Sequence, residues 1–204
     1  MPEKNIFSER ERSIENEFFL KKEQELIEKM RRRRLLEEDR NQMAEMIGVV
    51  DQEVLEALQE LGYSAETVML MPIVPLVQVA WAEDGITEKE RESILEIAQA
   101  RGITPDTPAY QKLIDMLERQ PPKEFYDNTL RGLRYLFESM PDDLRALGHR
   151  NLVEYCTQIA EASGGILGFR KISDEERLLI ARIATEIGQG RAAAVKKVIG
   201  DSED

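Results

Sequence analysis

The strongest constraint on this chain is that it repeats itself. The stretch from Gln78 to Gly102 returns, with one six-residue insertion, between Gln158 and Gly188. Gln158-Ile159-Ala160 echoes Gln78-Val79-Ala80, Ala162 echoes Ala82 and Gly165 echoes Gly85. After the insertion, Ile172-Ser173-Asp174-Glu175-Glu176-Arg177 repeats Ile86-Thr87-Glu88-Lys89-Glu90-Arg91. Ile180, Ile183, Ala184 and Gly188 then fall where Ile94, Ile97, Ala98 and Gly102 fell. Two copies of one such unit predict two similar helix-turn-helix pieces packed together.

The start and stop of each second helix can be read directly. Thr87-x-x-Glu90 and Ser173-x-x-Glu176 are capping boxes, in which the hydroxyl accepts from an unpaired first-turn N–H and the glutamate reaches back to the cap residue. Ile94, Ile97 and Ala98, and again Ile180, Ile183, Ala184 and Ile187, recur at the three-and-four spacing of one buried helical face. Gly102 and Gly188 suit the left-handed residue that closes such a helix. Asp84-Gly85 is a turn dipeptide, so the unit reads helix, acidic tight turn, capped helix.

The N-terminal stretch has a different character. Residues 5–43 read as one long charged helix, with Glu17/Lys21, Glu25/Lys29 and Glu28/Arg32 at supportive i,i+4 spacing. Phe7, Ile14, Phe18, Phe19, Leu26 and Met30 are expected to form a thin apolar stripe, too little to fold alone but enough to lie in a partner's groove or to self-associate as a coiled coil. Arg31 to Arg34 is followed at once by Glu37-Glu38-Asp39 and reads as a solvated face. Residues 1–43 thus form an extended charged helix, residues 44–70 a small helical connector, and residues 71–200 a helical body. In the connector, Asp51 is expected to cap a helix through Leu61, with Gly62 as its stop and Ser64 as the next cap. In the body, helices are expected from Ala109 to Arg119, from Glu124 to Met140, from Pro141-Asp142 into the second repeat, and from Arg191 to Ile199.

Charge narrows the function classes. The net charge is −12, and the excess acid lies beyond residue 40, which argues against a nucleic-acid or anionic-membrane surface as the main role of the body. The most apolar stretch, Val68 to Ala82, is broken by Pro72 and Pro75 and is too short to span a membrane. A single cysteine, Cys156, excludes an internal disulfide framework. The expectation is an all-α, cytoplasmic protein.

Two family resemblances carry further expectations. Phe7-x-x-Arg10-Glu11-Arg12-x-Ile14-Glu15-Asn16-x-Phe18, followed by Glu23 and Arg31-Arg32-x-Arg34-Leu35-Leu36, resembles the opening of the zeta-type inhibitor subunit of bacterial F-type ATP synthase. More loosely, it is similar to the mitochondrial ATPase inhibitor. In those families this helix wedges into the catalytic interface of the ATPase head and blocks rotation in the hydrolysis direction. The resemblance implies a protein partner, the F-type ATPase head, and an inserting face of Phe7, Arg10, Glu11, Ile14, Glu15, Asn16 and Phe18.

The A-W-A-E-D-G-I-T-x-x-E-R turn and its repeat, over residues 73–188, resemble the TerB-like helical domains of tellurite-resistance and stress proteins. That family is all-helical with internal pseudo-symmetry and is associated with divalent cations near its acidic turns. The resemblance implies a Ca²⁺ or Mg²⁺ role for Asp84 and Glu90. In the second repeat Gly164 stands where Asp84 would be, so half of the acidic pair is missing.

Bond-making chemistry has little to work with. His149 and Cys156, each unique, lie seven apart, about 10.5 Å along a helix and beyond the reach of a nucleophile for its base. Glu90 and Asp84 each have a structural role, as capping glutamate and turn residue, and the loop lacks the alternating acids of an EF-hand. Two functions stay open: a non-enzymatic interaction protein that presents its N-terminal helix to a partner, and a metal-responsive stress module.

Overall fold

The computed structural model describes the backbone of residues 6–83, 85–163 and 172–188, and the side chains of residues 17–83, 85–162 and 172–188. Among these residues the chain is all-helical, with no strand. It divides into two units, Met1–Asn41 and Gln42–Asp204.

The first unit is the bulk of one helix, α1 (Ile6–Ile47). Ala44, Glu45 and Met46 are good helix formers, so the helix runs past the boundary expected at residue 43. It ends at Gly48, whose φ of 69° is left-handed and whose N–H donates to the Ala44 carbonyl at 2.9 Å. Every described side chain from Glu17 to Glu38 is exposed. Arg34 and Glu38 pair at 3.5 Å on the surface. Among the described side chains of this unit no apolar one is buried, so this part of α1 rests on its own backbone bonds and surface pairs.

The second unit holds one continuous core. Met43, fully buried, is the first described residue to enter it. Asp51 caps α2 (Gln52–Glu60), accepting from the N–H of Glu53 at 2.9 Å, and Gly62 closes the turn at φ 90°. Leu55 and Leu58 of α2 enter the same core as the repeat helices, so residues 44–70 do more than connect. Ser64 starts no α-helix. It forms a turn with Thr67, its carbonyl accepting from Val68 at 2.8 Å, that leads into a 3-10 helix, Val68–Leu70.

α3 (Val74–Ala80) is the centre of the unit. Val74, Pro75, Leu76, Val77, Val79 and Ala80 are all buried, which spreads burial around the whole helix. Pro75 lies in the first turn, where its missing N–H costs nothing. Around α3 follow α4 (Glu88–Ala100), α5 (Pro108–Glu118), α6 (Lys123–Glu138), α7 (Asp142–Ser163) and α8 (Asp174–Gly188). The repeated units interlock: α3 packs on α7, α4 lies on both α3 and α7, and α8 touches both α7 and α3.

Both capping boxes form. Thr87 N–H donates to Glu90 Oε2 at 2.7 Å while Glu90 N–H donates to Thr87 Oγ1 at 3.3 Å. Ser173 N–H donates to Glu176 Oε2 at 2.8 Å while Glu176 N–H donates to Ser173 Oγ at 3.1 Å. Gly102 takes the expected left-handed turn at φ 82°. Gly188 does not; it is still helical and ends α8 within the described residues. The helix expected from Arg191 to Ile199 lies outside the described residues.

Two buried side-chain bonds tie elements together. Tyr63 Oη and Thr129 Oγ1 are hydrogen-bonded in the core, and Thr129 also donates to the Phe125 carbonyl at 2.9 Å. Trp81 Nε1–H donates to the Met116 carbonyl at 2.9 Å and so fastens the end of α3 to α5.

Candidate functional site

The N-terminal helix is where the chain departs most from what burial alone would produce. Soluble surfaces carry scattered apolar residues as a matter of course, whereas a dense group of large ones marks an interaction surface. Here Phe18, Phe19, Leu20, Leu26, Ile27 and Met30 fall within one segment and stand more than half exposed, from 52% for Ile27 to 66% for Phe19. Leu35 and Leu36 follow, also exposed.

These side chains cover a broader sector of the helix than the thin stripe that spacing suggested. At about 100° per residue, Phe19, Leu26 and Met30 share the middle of one side of the helix, with Leu20 and Ile27 about 80–100° to one side of it and Phe18 about 100° to the other. Phe18 meets Phe19 edge-on at 6.1 Å between ring centres and has Lys22 Nζ 5.8 Å above its ring. The helix therefore offers one broad apolar sector centred on Phe19, Leu26 and Met30. Leu20 and Ile27, which widen this sector, were missed in sequence; their seven-residue spacing, parallel to that of Phe19 and Leu26, is the signal that finds them.

Of the inserting face expected from resemblance, Phe18 is 57% exposed and open to a partner. The side chains of Phe7, Arg10, Glu11, Ile14, Glu15 and Asn16 lie outside the described residues, although all of them sit on the helical backbone of α1.

The acidic turn is a different environment. Asp84 lies outside the described residues. Glu90 is 2% exposed, and its Oε2 accepts both the N–H and the hydroxyl of Thr87 at 2.7 Å. Burial raises its pKa above the ordinary carboxylate value, the two bonds from Thr87 pull it back, and the charges of Glu176 and Glu83 push it up again. Its carboxylate is thus committed to the cap. Among the described residues no group of three or more His, Cys, Asp or Glu side chains is placed to hold a metal ion.

His149 and Cys156 both lie on α7 and do different things. Cys156 is fully buried, and burial pushes its thiol up to about 12, which keeps it protonated and inert at neutral pH. His149 packs edge-on against Phe137 at 4.6 Å, and its pKa is lowered, first by desolvation and then by the charge of Arg145. Gly148 beside it leaves room for the Phe137 ring, which an added Cβ would meet at 2.7 Å.

An open cleft of about 570 Å³ lies between the end of α5 and the start of α6, lined by Lys112, Asp115, Met116, Arg119, Pro122 and Phe125 among others. Its charges are mixed, and it includes neither His149 nor Cys156. Among the described residues no helix is long and apolar enough to cross a membrane. Comparison with protein-family models, with curated proteins and with solved structures finds no match for the chain.

Proposed function

We propose that this chain is a non-enzymatic interaction protein that binds a protein partner through α1, and that the partner is the catalytic head of an F-type ATPase. The observation that carries the reading is the row of large apolar side chains left exposed on α1 while the body keeps its own core sealed. A helix that displays apolar anchors among charges is built to dock in a groove, where the anchors supply affinity and the charges supply register. The resemblance of residues 7–36 to ATPase inhibitor helices supplies the identity of the groove.

The division of labour fits. The repeat body supplies a folded platform, and its two buried carboxylates, Glu90 and Glu176, are occupied by their caps. A Ca²⁺ or Mg²⁺ function at the Asp84 turn draws no support from Glu90, since its carboxylate already has its partners.

Binding of the full chain to a purified F-type ATPase head, measured by interferometry, tests the proposal. Wild type should bind, and Phe18→Asp should bind at least about tenfold more weakly, because it places a charge where an apolar anchor must be desolvated. Equal binding by the two proteins, or no binding by either, would remove the reading.

A further inference from the structure

The exposed sector of α1 is bordered mainly by charge of one sign. Between Phe18 and Leu36 the chain carries seven Lys and Arg residues against three Glu, in a protein whose net charge is −12. Around the helix, Arg33, Lys22 and Lys29 lie about 40–80° to one side of the line through Phe19, Leu26 and Met30, and Arg34 about 60° to the other. Glu25 and Glu28 fall about 120–180° away, on the far side. All of these side chains are exposed. We propose that residues 18–36 of α1 lie flat on an anionic phospholipid surface, with Phe19, Leu26 and Met30 in the acyl boundary and the flanking Lys and Arg among the headgroup phosphates.

Width and charge both favour this occupant. A protein groove takes a narrow line of anchors, whereas a bilayer interface is laterally continuous and receives a broad apolar sector. From Phe18 to Leu20 that sector spans about 200°. Lys and Arg stems can run along apolar surface while their heads rise to the phosphates. Lys22 has this posture, its Nζ 5.8 Å from the centre of the Phe18 ring. Ten charges in nineteen residues forbid crossing the bilayer, so the helix lies on the membrane and does not span it. Glu23, about 40° from the centre line, is the one acid inside the sector and opposes the contact. Removing its charge therefore gives a test of opposite sign.

This inference goes beyond the ATPase reading and does not rest on it. A helix in a bilayer interface cannot at the same moment fill a protein groove, so the two occupants exclude one another. An assay with lipid alone leaves the ATPase reading untouched whatever its result.

Pelleting of the full chain with vesicles of phosphatidylglycerol and phosphatidylcholine in equal parts tests the proposal. Binding should be at least about tenfold tighter than to phosphatidylcholine alone, and at least about tenfold weaker in about 0.5 M salt, where the screening length is roughly 4 Å. Joint replacement Phe19→Gln and Leu26→Gln should weaken it by about tenfold or more, and Glu23→Gln should strengthen it by about twofold or more. With Met30→Trp, tryptophan emission should move to the blue on adding the anionic vesicles, beyond any change in wild type, which carries only Trp81. Unchanged melting of the double variant shows that the body remains folded. No pelleting would overturn the proposal and leave the sector to a protein groove. Pelleting indifferent to the double variant, with no blue shift, would also overturn it, as a contact of charge alone.

Discussion

The charge of Glu176 reaches Glu90 through the protein interior. Each closes the capping box of its own helix, each is buried, and the charge of Glu176 helps to hold the Glu90 carboxyl above its ordinary range. The sequence repeat thus reappears as two buried acids doing the same local work in corresponding places.

Burial of Glu90, with a smaller push from the charge of Glu176, fixes a pH dependence. Glu90 has an ordinary value of 4.5 that is raised in the folded protein, so the folded state holds its proton more tightly than the unfolded one. The stability linked to this is fully present below about pH 4.5 and is lost as pH rises through the folded pKa. Glu90→Gln keeps an acceptor for the cap and removes the charge. The difference in melting temperature between Glu90→Gln and wild type should therefore move in favour of the variant as pH rises from 4 to 7. Glu90→Ala, which strands the Thr87 N–H, should instead cost about 1–2 kcal/mol in denaturant titrations.

The local features of the fold were legible because they are written in neighbouring residues. Asp51, Thr87 and Ser173 each cap a helix through bonds that span three residues or fewer, and all three were readable from spacing. Ser64 was misread for the same reason in reverse: a hydroxyl before an apolar run resembles a cap, but Pro72 and Pro75 hold the chain in turns until α3 begins. The proximity of Glu90 to Glu176 and the bond between Tyr63 and Thr129 depend on how distant segments pack, which no local pattern encodes. On α1, spacing showed most of the apolar residues, but the width of the exposed sector emerged only once Leu20 and Ile27 were seen to extend it.

Tyr63 and Thr129 offer a clean test of the core. Tyr63→Phe removes the hydroxyl while Thr129 keeps its bond to the Phe125 carbonyl. Urea unfolding should show a loss of about 1 kcal/mol with an unchanged slope.

Stability should ignore α1 and depend on the repeat helices. Leu26→Ala, at an exposed site, should change the unfolding free energy of dilute protein by less than about 0.5 kcal/mol. Ile94→Ala, at a fully buried site on α4, should cost about 2–5 kcal/mol. Chemical denaturation of the two variants beside wild type provides the comparison.

Cys156 should be silent in the native state. Its thiol is fully buried and raised to about 12, so a thiol reagent at pH 8 should react only as fast as the protein opens, and at once in denaturant. Rapid labelling of the folded protein would show that α7 is not packed as described.

The proposal that α1 grips an ATPase is tested most directly by the rate at which a purified F-type ATPase head hydrolyses ATP while the full chain is titrated in. The account predicts that hydrolysis falls with added wild-type protein and that Phe18→Ala shifts the half-inhibiting concentration upward by about tenfold. Hydrolysis that stays constant across the titration, or an identical curve for wild type and Phe18→Ala, would contradict it.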